Sequence, residues 1–462
     1  MESKATGSKS VSRIKTGSFE RRLSLTKAGL FAGTRMATHT ALGMFSGKEA
    51  RKKRRKEMLS RQAVFLVEEL GKLKGSVVKI GQMMALYGEH FLPVEVTEAL
   101  HTLEDKTVSL DWSAIHEVLH RELGDERLTG LEIEQEPVGA ASLGQVHRAT
   151  IKSNGRQICL KIQYPGVAEA VDSDLNSVAK LLKLTKMASF GPDFDEWLEE
   201  VRQMMHREVN YRLEADTTCR FREMLAGDAR FIVPEVYKEY CTAHVMATSY
   251  EPGVPVTSDE VQELSLERRN HLAQASLELF LKEIYDWKEL QTDPNFGNYR
   301  IRLAHGPGEI DRIVLLDFGA VQKYPDAILG PVRNMIKASY NQDLAGVVQG
   351  GVELQFMRAH WPASVLEEFG KVCMAVLEPL ATSRMDVPEY ALNSKGQYRW
   401  KQSDLPGRVA KRAAVSAISR YFTIPPKEFV FLNRKLVGVY TFISVLGAEF
   451  NGEEILLTFI DR

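Results

Sequence analysis

Apolar residues near the start of the chain follow a helical pattern before a strand pattern takes over. In residues 60–90 six apolar side chains recur three or four positions apart: Leu66, Leu70, Leu73, Val77, Ile80 and Met84. This spacing lines one side of a long helix, which ends near Pro93. Lys79, Gln82 and Gly75 fall on the opposite side. That side is either a solvated polar face or a face that a ligand or another backbone approaches closely.

Alternation of apolar and polar residues replaces the helical spacing in the next part of the chain. Three segments alternate in this way: 131–135 (LEIEQ), 145–151 (QVHRATI) and 156–162 (RQICLKI). Asn154 and Gly155 lie between the last two segments and favour a type I′ hairpin. The pattern therefore predicts three antiparallel strands.

Helical spacing dominates the remainder, with a few short strands between the helices. Helices are predicted at 111–123, 171–190, 194–226 and 259–286, and strand-like pieces at 231–238, 243–250, 299–303 and 312–317. A Glu-Pro-Gly turn at 251–253 precedes the mainly helical part. A small β-rich half followed by a larger helical half predicts an α+β fold with two lobes.

Length and composition are those of an ordinary globular protein with two or three domains, because the chain has 462 residues of which 44% are hydrophobic and 26% charged. Four cysteines lie far apart without a Cys-x-x-Cys pair. This argues against a zinc site or a disulfide framework and for a reducing compartment. No apolar run reaches eighteen residues, and the segment 436–448 is too short to cross a bilayer.

Charge is distributed unevenly, because the N-terminal 60 residues are basic and the rest of the chain is acidic. Residues 1–60 contain fifteen Lys or Arg against four Asp or Glu, and residues 51–56 are six consecutive cations. Such a run binds anionic lipid headgroups or nucleic acid, or is simply solvated; of these partners we expect an anionic membrane surface and no nucleic acid. Residues 1–48 are also Ser-rich and poor in acids, as mitochondrial transit peptides are.

A turn of small residues lies between the first two predicted strands. Its middle consists of Gly139, Ala140, Ala141 and Ser142. Without bulky side chains, backbone N–H groups in such a turn can approach phosphate oxygens closely, although many hairpins carry a similar turn. The third strand then ends at Lys161, which matches the strand lysine that kinases pair with the α- and β-phosphates.

Three residues further along have the spacing that kinases use to hold a metal ion on ATP. Asp293 precedes Pro294 on a short loop, and Asn298 follows five residues later. Asp317 follows the apolar run 313–316, which we expect to be buried, and precedes Phe-Gly. In this arrangement the first Asp orients a nucleophile, while the Asn and the second Asp supply oxygen ligands for Mg²⁺. The order of these residues after the strand lysine makes ATP chemistry the leading hypothesis.

The complete set of motifs resembles the UbiB family of atypical kinases, also called the AarF or ADCK group, over roughly residues 60–450. The motifs are KIGQ at 79–82, GAASLGQVH at 139–147, LKIQYPGV at 160–167, REVNYRLEAD at 207–216, QTDPNFGN at 291–298 and LLDFGA at 315–320. The resemblance implies a protein-kinase-like fold with an Ala-rich loop and a helical KxGQ extension over the site. One departure is that Gly139 replaces the first alanine of that loop.

The resemblance also implies roles for individual residues. Lys79 and Gln82 line the nucleotide cleft, and Lys161 pairs with Glu208. Glu214 and Asp216 form an ExD element that faces the extension. In the remaining roles, the loop Gly139, Ala140, Ala141 and Ser142 contacts the nucleotide, Asp293 takes the catalytic-loop position, and Asn298 and Asp317 bind Mg²⁺.

From this resemblance we expect a basic tail at 1–59, a KxGQ extension at 60–130, a kinase-like N-lobe at 131–253 and a helical C-lobe at 254–462. The expected function is an Mg-ATP-dependent atypical kinase or ATPase that supports ubiquinone or other isoprenoid-lipid biosynthesis and acts on a lipid-like or quinone-precursor molecule. Two alternatives are a true protein kinase and a nucleotide-binding, lipid-associated scaffold without turnover. The expected location is the cytoplasm or the inner membrane face, or the mitochondrial matrix in a eukaryote.

Overall fold

The structure is a computed structural model. It describes residues 57, 60, 61, 63, 64, 67, 70, 76–87, 92–101, 109–141, 143–184, 192–415, 421 and 426–460. The predictions for the basic tail, for Gly75, Leu66 and Leu73, and for Ser142 fall outside these residues.

Helices make up most of the described chain. Their bounds are α1 Ser76–Tyr87, α2 Val94–His101, α3 Trp112–Thr129, α4 Val167–Leu184, α5 Pro192–Glu208, α6 Tyr211–Met224, α7 Asp259–Gln262, α8 Leu266–Lys282, α9 Asp326–Tyr340, α10 Leu344–Glu353, α11 Ala363–Val376, α12 Leu405–Val415, α13 Lys427–Val445 and α14 Glu453–Ile460. A π-helical turn, Glu283–Trp287, extends α8, and the described residues also include four short 3₁₀ turns. Within the described ranges no helix is long and apolar enough to cross a bilayer.

In the described part of the chain, nine short strands form three sheets. Their bounds are β1 Leu131–Ala140, β2 Gly144–Ile151, β3 Gln157–Gln163, β4 Phe231–Ile232, β5 Val245–Ser249, β6 Glu289–Gln291, β7 Tyr299–Arg302, β8 Arg312–Leu315 and β9 Val321–Lys323. The largest sheet is antiparallel with the order β1-β2-β3-β5, and the others have the orders β4-β8-β7 and β6-β9.

The chain divides into two compact units. Unit 1 comprises residues up to Asp216 together with Glu235–Tyr250, and unit 2 comprises Thr217–Pro234 and Glu251–Arg462. The boundary passes through α6, and residues 217–234, which the sequence prediction placed in the N-lobe, lie in unit 2.

Unit 1 packs its helices against each other and against the four-stranded sheet. The predicted apolar stripe is buried, since Leu70, Val77, Ile80 and Met84 have no exposed surface. Helix α1 contacts α4 and α5. Lys79 and Gln82 are only partly buried, as expected for the opposite side of the helix.

The hairpin between β2 and β3 differs from the predicted type I′ turn. That turn needs positive φ at both central residues, but only Gly155, with φ of 69°, is left-handed. The loop instead has five residues between Ile151 and Gln157, and the Asn154 side chain accepts a hydrogen bond from the Arg156 N–H. Glycine supplies the one left-handed residue that the longer loop requires.

Candidate active site

In unit 2 the segments before Asp293 and after Asp317 run side by side. Strands β6 and β9 pair antiparallel, with Gln291 opposite Val321. Beyond the last pair, the Thr292 N–H and hydroxyl both donate to the Ala320 carbonyl, at 3.2 Å and 2.7 Å. The pairing thus fixes the start of the Asp293 loop next to the end of the Asp317 turn.

Asp293 and Asn298 are joined directly by a hydrogen bond. The Asn298 amide nitrogen donates to the Asp293 Oδ2 at 3.1 Å. Between them, Asn295 accepts from the Gly297 N–H at 2.8 Å and starts a 3₁₀ turn at Phe296–Asn298. The five-residue spacing noted in the sequence is therefore the span of one compact turn.

Asp317 lies next to Asn298. The N–H of Leu316 donates to the Asn298 carbonyl at 2.9 Å. Asp317 itself accepts from the Gly319 N–H at 2.9 Å, a local turn that sets the direction of its carboxylate. Asn298 and Asp317 line one small cavity together with Phe318.

The donor atoms in this cavity suit a hard divalent cation. Because the Asn298 amide nitrogen is turned to Asp293, its oxygen is the atom left to bind a cation. A carboxylate has two oxygens with about four acceptor sites, so Asp317 can accept hydrogen bonds and bind a cation at the same time. Magnesium is commonly held by one or two such side chains plus substrate phosphates. The residues described include no cluster of three or more His, Cys, Asp or Glu side chains that would form an all-protein metal cage.

A buried ion pair lies at the wall of the same cavity. Lys435 of α13 is 3.0 Å from Glu283, and their side chains are only 4% and 1% exposed. Burial lowers the pKa of Lys435, but the attraction of Glu283 outweighs it, so the pKa lies above its usual value. Burial also raises the pKa of the neighbouring Tyr299. The Glu283 carboxylate accepts in addition from the Gln291 N–H at 3.2 Å.

Sequence reasoning missed this pair and a second basic contact. Arg434, also on α13, places its Nη2 3.1 Å from the Asp293 Oδ1. Neither contact has a local sequence signal, because Arg434 lies 141 residues from Asp293 and Lys435 lies 152 residues from Glu283.

In unit 1 the predicted pairing of Lys161 with Glu208 is wrong. Lys161 donates to both carboxylate oxygens of Glu214, at 2.7 Å and 2.9 Å. Glu214 is buried, with 4% of its side chain exposed, and Lys161 is 26% exposed. The periodicity of residues 194–226 suggested one helix, but the chain breaks into α5 and α6. The break places Glu208 at the end of α5 and Glu214 in the first turn of α6.

Asn210 explains the break between α5 and α6. Its side-chain oxygen accepts from the Leu213 N–H at 3.1 Å, and its carbonyl accepts from the Glu214 N–H at 3.2 Å. Asparagine in this role caps the start of a new helix.

Glu208 pairs instead with Lys79 of the KIGQ motif. The two charged atoms are 2.5 Å apart, and both side chains are partly exposed. Helix α1, which packs against α5, is thus also joined to it by an ion pair. Asp216, which the resemblance placed beside Glu214, is exposed on α6.

The small-residue turn is tighter than the sequence suggests. Gly139 and Ala140 belong to β1 and pair with Val146 and Gln145 of β2. The Ala141 N–H donates to the Gly144 carbonyl at 2.8 Å, so this N–H group is already hydrogen-bonded within the hairpin. All three small residues that the structure describes in this turn are exposed. Their predicted contact with a nucleotide stays a prediction.

The end of the GAASLGQVH motif has a structural role that sequence reasoning missed. Gln145 and His147 are fully buried. The Gln145 side chain accepts from the Leu110 N–H and donates to the Leu110 carbonyl, at 2.8 Å and 3.3 Å. It also contacts the His147 Nε2 at 2.8 Å, while the His147 Nδ1 donates to the Glu134 carbonyl. Burial lowers the pKa of His147, which favours the neutral imidazole. Gln145 thus joins the segment before α3 to β2, and His147 holds the Gln145 side chain in place.

These features define the class of protein. Kinase-like proteins combine an antiparallel sheet that carries a Lys–Glu pair with a mainly helical part that holds an Asp/Asn loop and an Asp-Phe-Gly turn. This chain has each of these features. The chain belongs to the family described as the ABC1 atypical kinase-like domain, which matches residues 102–350. This confirms the resemblance drawn from the motifs. A kinase-like family implies a nucleotide and a divalent metal.

Two relatives illustrate the similarity. The chain is 30% identical to the mitochondrial atypical kinase COQ8B of Danio rerio, over 85% of this chain and 60% of that protein. It is 29% identical to the mitochondrial atypical kinase COQ8 of Schizosaccharomyces pombe, over 86% of this chain and 62% of that protein. The chain thus spans about three fifths of the length of these two curated relatives.

A solved structure has the same fold. It is the complex of Rv3197 with erythromycin from Mycobacterium tuberculosis, with a TM-score of 0.58 and 23% sequence identity. The match covers 89% of this chain and 98% of that one. It confirms the predicted α+β kinase-like fold.

Proposed function

We propose that this chain is an Mg-ATP-dependent atypical kinase or ATPase of the UbiB type. The observation that carries the proposal is the arrangement in unit 2, where Asn298 bonds to Asp293 and shares one cavity with Asp317. Membership in a kinase-like family supports it as well. Kinases use an Asp/Asn loop and a second Asp in this way for phosphoryl transfer.

The proposed reaction transfers the γ-phosphoryl group of ATP to an oxygen nucleophile, which is water or a hydroxyl of a small molecule. The nucleophile's oxygen forms a bond to the γ-phosphorus as the bond to the β–γ bridging oxygen breaks, and that electron pair leaves with ADP. Asp293 orients the nucleophile and accepts its proton, which then passes to solvent.

Other residues bind and orient the nucleotide. Asn298 and Asp317 would hold the magnesium ion, which supplies charge neutralisation on the phosphates when bound. Lys161 would bind the α- and β-phosphates, as the strand lysine of kinases does. The two hydrogen bonds to Glu214 support this role because they fix the ammonium group. Fixed charges of this kind need no reorganisation during transfer.

The acceptor and the location belong to the same proposal. Relatives named COQ8 support a role in ubiquinone or other isoprenoid-lipid biosynthesis, with a lipid-like or quinone-precursor molecule as the partner. We infer peripheral contact with an anionic membrane surface through the basic residues 51–56. In a eukaryote, the mitochondrial names of the relatives favour the matrix.

The test measures phosphate release and Mg-dependent nucleotide binding for the wild type, Asp317→Asn and a control. Asp326→Asn is the control, because it removes a carboxylate from an exposed ion pair with Lys288. Assays are run alone, with anionic liposomes, and with a phenolic quinone-precursor mimic. We expect Asp317→Asn to lose at least 100-fold in turnover and the control to keep wild-type activity, since the metal site supplies the main charge stabilisation.

Hydrolysis by Asp317→Asn at the wild-type rate would refute the assignment of this site. Nucleotide binding by the wild type without phosphate release under every condition would favour the scaffold without turnover. Phosphate on a protein added in trans, dependent on Asp293, would favour a protein kinase.

A further inference from the structure

One face of helix α13 lies against the whole loop from Asp293 to Tyr299. Arg434, Gly438 and Phe442 are four residues apart in sequence, and this spacing places them on the same side of a helix. Each contacts a different part of the loop. The 19-residue helix therefore meets the loop along more than two turns.

The first contact is electrostatic and involves the carboxylate assigned to the nucleophile. Arg434 donates to the Asp293 Oδ1 at 3.1 Å, and Asn298 donates to the Oδ2 at 3.1 Å. The two side chains hold the carboxylate from its two oxygens. Arg434 and Asp293 are 26% and 28% exposed, so the contact is shielded from most of the solvent.

The second contact depends on the absence of a side chain. A Cβ atom added at Gly438 would lie 2.1 Å from the Cβ of Pro294 and 3.0 Å from its Cγ. Glycine is unfavourable inside a helix, yet here it lets the helix backbone approach the residue directly after Asp293. Any larger residue would push Pro294, and Asp293 with it, away from α13.

The third contact is aromatic. The Phe442 ring centroid lies 6.2 Å from that of Phe296 and 5.7 Å from that of Tyr299, both in edge or tilted arrangements. Such ring pairs prefer this geometry and limit sliding of the packed surfaces. The loop is thus held at its start, at its middle and at its end by one helix.

We propose that Arg434 is a positioning residue for phosphoryl transfer, which acts by orienting the Asp293 carboxylate, and that Gly438 sets the distance at which it does so. This inference rests on the proposed function and extends it to a helix outside the kinase motifs. Arg434 does not need to contact the nucleotide in this role. Its loss should therefore lower the rate of transfer and leave nucleotide affinity nearly unchanged.

The experiment compares single-turnover rate, kcat, KM for ATP and the Kd of a fluorescent ADP analogue with Mg²⁺ across four variants. Arg434→Met removes the charge and keeps the length, whereas Arg434→Lys keeps the charge. Gly438→Ala introduces the collision with Pro294. Gly330→Ala in α9 is the matched control, because a Cβ there meets nothing within 4 Å.

We expect Arg434→Met to lower the single-turnover rate about 10- to 100-fold, which is less than the roughly 100- to 10,000-fold contribution of an acid–base group itself, because Asp293 is still present. The nucleotide Kd should change less than about twofold. Arg434→Lys should recover a large part of the rate. Gly438→Ala should lower the rate with its helix content retained, and Gly330→Ala should be unchanged.

A wild-type rate in Arg434→Met or in Gly438→Ala would overturn the inference while leaving the proposed function intact. Equal losses in rate and in nucleotide affinity would also overturn it, because they would indicate a general structural role. If Arg434→Met does not fold, Gly438→Ala gives the same decision, because a wild-type rate in that variant also overturns the inference. Absence of phosphoryl transfer by the wild type, both to water and to the phenolic quinone-precursor mimic, would instead refute the proposed function itself.

Discussion

Replacing Lys435 by Met should destabilise unit 2 strongly, because it leaves the buried carboxylate of Glu283 without its cation. The pair is 3.0 Å apart and almost fully enclosed. Removing one partner of such a pair costs about 3–5 kcal/mol of unfolding free energy. Unit 2 contains about 230 residues, so the cost corresponds to a fall in Tm of roughly 6–20 °C if the unit unfolds cooperatively.

The pH dependence of this loss identifies its cause. Burial raises the pKa of Glu283, and in the wild type Lys435 opposes the rise. In Lys435→Met that opposition is gone, so protonation of Glu283 favours the folded variant. The loss of stability relative to the wild type should therefore be larger at pH 8 than at pH 5.

The assay is thermal or denaturant unfolding of the full chain at both pH values, with two comparisons. Lys288→Met removes a lysine from an exposed pair with Asp326 and should cost less than about 1 kcal/mol. The double variant Glu283→Gln/Lys435→Met carries no buried charge and should recover much of the lost stability. An unchanged Tm for Lys435→Met, or a loss that does not vary with pH, would refute the reasoning.

Three further predictions concern unit 1. In double-mutant cycles measured by unfolding, Lys161 and Glu214 should have a coupling free energy of about 1.5–3 kcal/mol, as charged hydrogen bonds do. Lys161 and Glu208 should not couple. Equal coupling free energies in the two cycles would contradict the structure. Because the folded-state pKa of His147 is lowered, its contribution to stability is complete above about pH 6.5 and declines as the pH falls. The variant His147→Gln should therefore lose less stability between pH 6.5 and 5 than the wild type, and parallel curves would count against this. Mg-ATP should slow alkylation of Cys159, which lies two residues before Lys161 on the same strand face, and equal labelling with and without nucleotide would argue against a nucleotide at that face.

Local patterns in the sequence predicted the elements well where a single rule decides the outcome. The strand alternation at 156–162 is reproduced by buried Ile158, Leu160 and Ile162 with partly buried Cys159 and Lys161 between them. The compact turn from Asp293 to Asn298 likewise follows from its short Pro/Gly sequence. In both places a residue's neighbours in sequence are also its neighbours in space.

The failures arise where two rules compete. An apolar periodicity continues through residues 194–226, but Asn210 offers a side-chain cap and begins a new helix within it. The periodicity alone could not reveal the break. The wrong partner for Lys161 came from the family resemblance, which the periodicity could not correct. An Asn cap inside a long predicted helix is therefore a reason to test a two-helix alternative.

The residues that surround the site could not be predicted from local sequence patterns, for a different reason. Asp293, Asn298 and Asp317 are recognised by their order along the chain, but Arg434 and Lys435 reach them only through the packing of α13. Gly438 was the one available signal, since an isolated glycine inside a strong helical pattern is costly and often marks a close backbone approach. If Gly438→Ala slows transfer while the helix itself is preserved, then glycine is needed at this position so that the loop can pack closely against α13. The orientation of Asp293 would then depend on a helix that lies outside the kinase motifs.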